Sequence, residues 1–349
     1  MENKKKKFPP FLIFFCILMG ITVLLCGAVA AVWLQGRYAL THTEKLPSLP
    51  SLSTEETNIT TDGNTIVYNG KRYQYNKDMC NILLLGIDSY STAAEAAGNH
   101  DQADVLVLAA LDLAGDTMSL ISIPRDTICD MEILDETGAS SGVMRTQLAL
   151  AYAYGDGQHK SCQLTCDAVS NIFHGLPIHG YGAYYLGGIE TLNDAVGGVT
   201  VTILDDFAFT ESTPERYRMI PGHTINLVGY EARAYIRARV PDLPNSNELR
   251  MRRQKQYMLA LIDKVMDQVK ENPACVLSLY DTVDDYLLTD LDISRISYLA
   301  TEAVSMDFTG DIHSLTGEIT LDRQNHVELT LDQTALYELM LDVFYTEVP

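Results

Sequence analysis

Six arginines lie within the 21 residues from Arg233 to Arg253, in a chain whose formal net charge is -21. The preceding residues 81–232 contain only five lysines or arginines, so the concentration is local. A guanidinium group is always charged and offers a planar fork of N–H donors that suits phosphate and carboxylate oxygens. This segment is therefore expected to bind an anion. The alternative is a basic helix face that is simply solvated.

Two aspartates and a further arginine are predicted to meet at one end of a buried sheet. Asp88 follows an apolar strand, and Asp104 begins a second one. If residues 104–112 and 117–125 form a hairpin, Asp104 lies nearly opposite Arg125. If the first strand also runs parallel to the third, Asp88 emerges at the same edge, where open α/β sheets place their ligands. The alternative is that Asp88 caps a helix and Asp104 starts its strand without a shared site.

Carboxylates beside several arginines suit phosphate chemistry. Carboxylates bind Mg²⁺ (or Mn²⁺), and Mg²⁺ commonly uses one or two of them together with waters and substrate phosphates. Arginines then hold the other phosphate oxygens and stabilise charge in the transition state. The sequence contains no Walker-type loop and no His-Glu-x-x-His motif. These residues therefore predict a phosphoryl-group or pyrophosphate site.

The elements that must position these residues predict an α/β (α+β) fold, in which a central mixed β-sheet is flanked by helices on both faces. Apolar runs form the strands, and two helices carry the arginine-rich segment. The helix at residues 229–238 places Arg233 and Arg237 on one face and ends before Arg239. In the helix at residues 247–270, spacings of three and four put four side chains on one side: Arg250, Arg253, Gln254 and Tyr257.

The N-terminal segment predicts a membrane anchor. A basic run at residues 4–7 precedes an almost wholly apolar stretch that is long enough for one transmembrane helix over residues 11–34. The lysines predict a cytoplasmic tail at residues 1–10, so the rest of this single-pass cell-membrane protein is expected to be extracellular. The alternative is a cleaved signal peptide, because Ala28-Val-Ala30 resembles a cleavage site.

Residues 35–349 divide into four predicted segments, and the net charge of the chain limits its possible partners. A polar linker is predicted over residues 35–62, a small hairpin around Asn69-Gly70 over residues 63–78, the main domain over 79–315 and a packed extension over 316–349. The net negative charge argues against nucleic acid as a partner. The seven cysteines show no metal-binding spacing, and free buried thiols are expected.

Seven segments, in order, carry a resemblance to a known family. They are Asn81-Ile-Leu-Leu-Leu-Gly-Ile-Asp88, the Asp104 strand, Ser122-Ile-Pro-Arg-Asp126, Ala151-Tyr-Ala-Tyr-Gly155, Asp194-Ala-Val-Gly-Gly-Val199, Tyr235-Ile-Arg-Ala-Arg239 and Arg253-Gln254. Together they resemble the LytR-CpsA-Psr family over roughly residues 80 to 310. The expected topology, with one N-terminal span and the domain outside, is similar as well.

The resemblance implies an extracytoplasmic phosphotransferase of cell-wall assembly in a Gram-positive bacterium. Such an enzyme moves a glycopolymer, for example teichoic acid or capsule, with one phosphate from a polyprenyl-pyrophosphate carrier in the membrane to a sugar hydroxyl of peptidoglycan. It also implies the roles of the matching residues. These are Asp88 and Asp104 for the metal, Arg125, Arg237 and Arg239 for catalysis on the pyrophosphate, Arg250 and Gln254 for binding it, and Asp126 for orientation.

Two departures from the family pattern leave details open. Gln102-Ala103-Asp104 stands where the family often has Arg-Ser-Asp, so Gln102 is a neutral donor in place of a phosphate-binding arginine. Ser246-Asn247 stands where an aspartate is often found, so no general base is assigned. A non-enzymatic binder of polyprenyl-linked polymers and a polyprenyl pyrophosphate hydrolase remain alternatives. Arg233 and Arg252 are expected to be surface charges, and Arg253 is left undecided.

Overall fold

The computed structural model describes residues 32–40, 58–59, 65–135, 137–206, 219–238 and 246–349. Arg239 lies outside these ranges, as do residues 1–31, which hold the predicted tail and most of the predicted transmembrane segment. Among the residues described, no helix has the length and apolar character that crossing a membrane requires.

Strands and helices alternate along the described chain. The strands are β1 (Asn58–Ile59), β2 (Thr65–Tyr68), β3 (Lys71–Tyr75), β4 (Met79–Ile87), β5 (Ala103–Asp112), β6 (Thr117–Ile123), β7 (Ile128–Leu134), β8 (Ser140–Gln147), β9 (Gly180–Tyr185), β10 (Val199–Thr202), β11 (Thr224–Leu227), β12 (Leu287–Thr289), β13 (Asp307–Ser314), β14 (Gly317–Leu321), β15 (Val327–Leu331) and β16 (Tyr345–Val348). The helices are α1 (residues 32–40), α2 (Leu150–Ala153), α3 (His159–Ile172), α4 (Ile189–Ala195), α5 (Tyr230–Arg237), α6 (Ser246–Glu271), α7 (Cys275–Val283), α8 (Ile293–Ser305) and α9 (Gln333–Phe344).

The main sheet has six strands in the order β12-β9-β4-β5-β6-β13 and is mixed, as the sequence predicted. Strand β5 is antiparallel to both β4 and β6, so β4 and β6 point the same way. Their carboxyl ends therefore lie at the edge of the sheet where β5 begins. The outer neighbours β9 and β13 pair in parallel with β4 and β6, respectively.

Side chains of β4 alternate between two hydrophobic cores because successive residues of a strand point to opposite faces. Leu83 and Leu85 pack into a cluster that includes residues of α3 and α9. Ile82 packs into a second cluster, with Tyr298 of α8 and Leu40 of α1. Helices therefore cover both faces of the sheet, which confirms the predicted layering and leaves the strand ends as the place for polar groups.

A third cluster supports the arginine-bearing helices. It joins α4, α5 and part of α6 to the two-stranded ribbon β10–β11. Asn193 of α4 donates from its amide to the carbonyl of Leu227 at 2.8 Å, and the carboxylate of Asp194 accepts the backbone N–H of Gly229 at 2.7 Å. These two hydrogen bonds therefore attach the start of helix α5 to helix α4.

The hairpin around Asn69-Gly70 is confirmed, since both residues have positive φ (51° and 76°), as a two-residue turn of this kind needs. Its strand β3 also pairs with β16 from the far end of the chain. Residues 35–40, assigned from the sequence to the linker, are helical in α1. There, Gly36 lets α1 approach α8, because a Cβ at this position would lie 2.4 Å from the carbonyl oxygen of Ser294 and clash with it.

Two features were not predicted. Ile128–Leu134 and Ser140–Gln147 pair as the hairpin β7–β8, and the next helix begins at Leu150. Gly138-Ala-Ser-Ser-Gly142, a Gly-x-Ser-x-Gly pattern, runs from the turn of this hairpin into β8, so it does not lie between a strand and a helix as a nucleophile elbow requires. The described cysteines are all free, and all but Cys275 are buried, as expected.

Candidate functional site

Asp104 and Arg125 face each other across the β5–β6 pair. The register joins Leu106 to Ile123, and two further residues on each strand bring Asp104 opposite Arg125. Nη1 of Arg125 donates to Oδ1 of Asp104, while its Nε lies 3.4 Å from the carboxylate of Asp126. The Arg125 side chain is still 37% exposed, so it has surface left for a ligand. The orienting role predicted for Asp126 agrees with this contact.

Asp88 lies directly after β4 at the same edge. Its backbone N–H donates to the carbonyl oxygen of Gln102 at 3.2 Å, which ties the end of β4 to the beginning of β5. Burial raises the pKa of Asp104, the positive charge of Arg125 opposes that rise, and the negative charge of Asp88 adds to it. The two carboxylates are therefore near enough to repel each other.

Arg237 reaches this edge from the last turn of α5. Its Nη2 lies 3.6 Å from Oδ1 of Asp88, and both side chains are about two-fifths exposed. A cation in the last turn of a helix also interacts favourably with the helix dipole. The Arg237–Asp88 pair is thus an open ion pair, longer than a hydrogen bond.

Arg250 enters from the first turns of α6. Its positive charge, like that of Arg125, opposes the rise in the pKa of Asp104 that burial causes, so Arg250 is near enough to Asp104 to affect its ionisation. The structure therefore gathers at one sheet edge five of the eight predicted site residues: Asp88, Asp104, Arg125, Arg237 and Arg250. Arg239, a sixth, lies outside the described residues.

The two glutamines are placed beside this group through backbone contacts. The amide of Gln254 donates to the carbonyl of Ile236 at 3.1 Å, immediately before Arg237. Gln102 supplies the carbonyl that accepts from Asp88, and its side chain is half-buried. Both residues therefore contact the backbone next to a charged group, and their binding of pyrophosphate stays a prediction.

Arg253, which the sequence left undecided, is a structural residue. Its side chain is 1% exposed, and all three of its nitrogens have protein partners: Nε donates to the carbonyl of Tyr235 at 2.9 Å, Nη1 to the carboxylate of Asp205 and Nη2 to the carbonyl of Ala238. Burial lowers the pKa of Arg253, and the charge of Asp205 opposes that effect. This buried pair attaches α6 to the end of α5.

The prediction of a surface role was right for Arg252 and incomplete for Arg233. Arg252 is exposed. Nη2 of Arg233 lies 2.8 Å from Oε1 of Glu190, and its guanidinium lies over the ring of Tyr90. Tyr90 is a residue of this region that the sequence did not single out, although it follows Asp88 by only two positions.

The donor set fits a hard divalent cation held in part by substrate. Among the described residues, no group of three or more His, Cys, Asp or Glu side chains is placed to hold a metal ion by itself. Asp88 and Asp104 form a pair whose mutual repulsion a cation would relieve. Mg²⁺ commonly binds through one or two carboxylates plus waters and substrate phosphates, so two carboxylates are sufficient.

The chain matches the LytR_cpsA_psr family over residues 49–340. Among similar proteins, the polyisoprenyl-teichoic acid–peptidoglycan teichoic acid transferase TagV of Bacillus subtilis is 29% identical over 240 residues, which is 68% of this chain and 56% of TagV. The transferase TagU of Enterococcus faecalis is 27% identical over 65% of this chain and 66% of its own. The matched part thus spans between about half and two thirds of these relatives.

Solved structures share the fold. The crystal structure of B. subtilis TagV superposes with a TM-score of 0.57 at 26% identity, covering 76% of this chain and 96% of that one. A structure of TagT bound to LI-WTA gives a TM-score of 0.56 at 25% identity, covering 76% and 90%. Since the family match extends over most of the residues, including the whole charged sheet edge, this chain belongs to the LytR_cpsA_psr family.

Proposed function

We propose that this protein transfers a glycopolymer, together with one phosphate, from a polyprenyl-pyrophosphate carrier to a sugar hydroxyl of peptidoglycan. The observation that carries the proposal is the meeting of two carboxylates and three arginines at the open end of the β4–β5–β6 strands. The names of TagV and TagU, and the LI-WTA bound to TagT, support a glycopolymer as the group transferred.

The charge of the site suits a pyrophosphate. Three arginines and three aspartates (Asp88, Asp104 and Asp126) sum to a formal charge of zero, and a divalent cation on Asp88 and Asp104 would raise it to +2. A pyrophosphate diester carries two negative charges, and the negative charge that develops on the leaving phosphate needs donors already in place. Arg125, held by Asp104 and Asp126, and Arg237, which lies beside Asp88, are such donors.

Asp88 and Asp104 are the residues that would hold the metal ion. Bound Mg²⁺ would supply positive charge to the phosphate oxygens. Arg125 donates to Asp104 and would donate to the substrate phosphate as well. The hydrogen bond to Asp104 therefore fixes the guanidinium relative to the carboxylate. Arg250 adds charge from α6, and Gln254 fixes the α5 carbonyl next to Arg237. The arrangement binds and orients a pyrophosphate with groups in or directly after five different elements: β4, β5, β6, α5 and α6.

A membrane location is part of the proposal. The carrier is a lipid, and the apolar stretch predicted over residues 11–34 would anchor the catalytic domain on the extracellular side, with the N-terminus in the cytoplasm. Peptidoglycan, the acceptor, lies on that same side. The experiment therefore uses the full chain reconstituted in lipid vesicles.

The test supplies a polyprenyl-pyrophosphate-linked glycopolymer, peptidoglycan fragments and Mg²⁺. We expect polymer linked to peptidoglycan by a phosphodiester, together with polyprenyl phosphate. Release of free phosphorylated polymer without linkage would show a hydrolase instead, and carrier binding without turnover would show a binder. Arg125→Ala should abolish transfer, while Arg252→Ala, which removes an exposed arginine of the same helix as Arg250, should leave it unchanged.

A further inference from the structure

Tyr90 lies beside the charged sheet edge and contacts two arginines with one ring. Its side chain is 53% exposed. The guanidinium carbon of Arg237 lies 5.0 Å from the ring centroid, and that of Arg233 lies 5.5 Å from it. Both distances are within the range of a cation–π interaction. An aromatic ring this exposed adds little to a core, so its contacts with the two cations are the feature to explain.

The two arginines are one turn apart on α5, which brings both to the same ring. Each also has a carboxylate partner, Glu190 for Arg233 and Asp88 for Arg237. The groups therefore follow one another as Glu190, Arg233, Tyr90, Arg237 and Asp88. In this row the ring is the only uncharged member and lies between two cations that repel each other.

The backbone of Ser89 and Tyr90, which carries the ring, packs closely against Gly187. The N–H of Gly187 donates to the carbonyl of Ser89 at 3.0 Å. Gly187 has no room for a side chain, because a Cβ there would lie 2.5 Å from the carbonyl oxygen of Tyr90. Ser89 is buried. The ring is thus carried by a segment, directly after β4, whose backbone packs closely against Gly187.

Arg237 needs a second partner besides Asp88. Their atoms are 3.6 Å apart and both side chains are well exposed, so the ion pair alone fixes the guanidinium weakly. If Asp88 binds a cation, as in the proposed function, its carboxylate is shared and holds Arg237 less. The ring of Tyr90 keeps its contact in either state.

From these contacts we infer that Tyr90 is a positioning residue, whose π-face holds Arg237 at the phosphate-binding edge of the sheet. This inference rests on the proposed function. The relevant group is the face of the ring and not the hydroxyl, and the effect passes through Arg237. A ring that stacked directly on a substrate sugar would act without Arg237. Variants of Tyr90 made with and without Arg237 distinguish these two roles.

The experiment compares Tyr90→Leu with the matched control Tyr90→Phe, which keeps the ring and removes only the hydroxyl. Both changes are then made again in an Arg237→Gln background. Transfer by the full chain is measured as kcat/KM. Binding of a water-soluble short-chain polyprenyl pyrophosphate is measured in parallel, because Arg237→Gln can bring transfer below detection. Thermal unfolding checks that the variants fold.

We expect Tyr90→Leu to lower kcat/KM or pyrophosphate affinity by roughly 3- to 10-fold, the size of one cation–π contact, and Tyr90→Phe to match the natural protein. In the Arg237→Gln background, Tyr90→Leu should have no further effect. Three outcomes overturn the inference. Tyr90→Leu and Tyr90→Phe could lower kcat/KM or affinity equally, Tyr90→Leu could have the same effect with Arg237 and with Gln at that position, or Tyr90→Leu could have no effect. If the natural protein neither transfers nor binds the pyrophosphate, the proposed function fails instead.

Discussion

Arg237 and Arg253 stand 16 residues apart and are used in opposite ways. Arg253 is buried, and each of its nitrogens donates to a protein oxygen of Asp205, Tyr235 or Ala238. Arg237 is two-fifths exposed and, among the residues that the structure describes, it has a long ion pair with Asp88 and a contact with the ring of Tyr90. Arginine content alone therefore does not mark a binding site. Donors already occupied by the protein indicate a structural role, and donors left open indicate a ligand.

The sharpest test of this comparison removes Arg253. Arg253→Ala leaves Asp205 charged and enclosed, and we expect a loss of about 3–5 kcal/mol in the free energy of unfolding, as for one partner of a buried ion pair. Denaturant titration measures it. Arg252→Ala, the adjacent exposed arginine, is the control and should change stability by less than about 0.5 kcal/mol. If both variants are equally stable, Arg253 does not have the structural role assigned to it.

Arg237 should show the reverse pattern. Arg237→Ala is expected to lower transfer on the order of 100-fold, since it removes a donor to developing phosphate charge. Its free energy of unfolding should change by less than about 1 kcal/mol, because the ion pair with Asp88 is exposed. Steady-state transfer and denaturant unfolding on the same preparation check this. A large loss of stability with normal transfer would reverse the assignment.

The pH at which transfer activity falls on acidification should depend on the Mg²⁺ concentration. Burial raises the pKa of Asp104, so this carboxyl takes up a proton at higher pH than an ordinary aspartate. Transfer needs the ionised form, and activity is expected to fall as pH is lowered through that raised pKa. Added Mg²⁺ competes with the proton and should move the fall to lower pH. Rate–pH profiles at two Mg²⁺ concentrations test it. An acid limb unaffected by Mg²⁺ would count against metal binding at Asp104.

The smallest expected effect concerns Gln254. Its amide donates to the Ile236 carbonyl, and Gln254→Ala should cost about 1 kcal/mol of stability, the net value of one hydrogen bond. It should lower transfer only a few-fold, through a less fixed Arg237. Steady-state kinetics separates the two roles. If the Michaelis constant for the carrier rises by two orders of magnitude while stability is unchanged, Gln254 is a direct ligand of the pyrophosphate, as the sequence predicted.

The sequence alone predicted that Asp88, Asp104 and Arg125 meet at one sheet edge, because a short turn and the order of neighbouring strands set this geometry. The turn at Gly115-Asp116 sets the register that puts Asp104 opposite Arg125, and one antiparallel strand between β4 and β6 puts Asp88 at the same end. The departure at Gln102 did not disturb this geometry, since its backbone carbonyl makes the contact to Asp88.

Contacts distant in sequence were not predictable in the same way. Helical spacing separated Arg252 from the face that carries Arg253, but it could not show that Arg253 binds the protein and not a ligand, because that depends on Asp205, 48 residues earlier. Tyr90 was overlooked because its partners lie on α5, more than 140 residues later. The hairpin β7–β8 was missed because residues 140–147 are largely exposed and show no apolar alternation.

The pairing of β3 with β16 has a consequence for the order of biosynthesis. Tyr75 and Tyr345 are 270 positions apart, yet their rings pack 5.5 Å from each other in the main core. Ribosomes deliver the N-terminal strand first, and it must wait for nearly the whole domain before its neighbour exists. The pairing of β3 with β16 can therefore form only after Tyr345–Val348 has been synthesised.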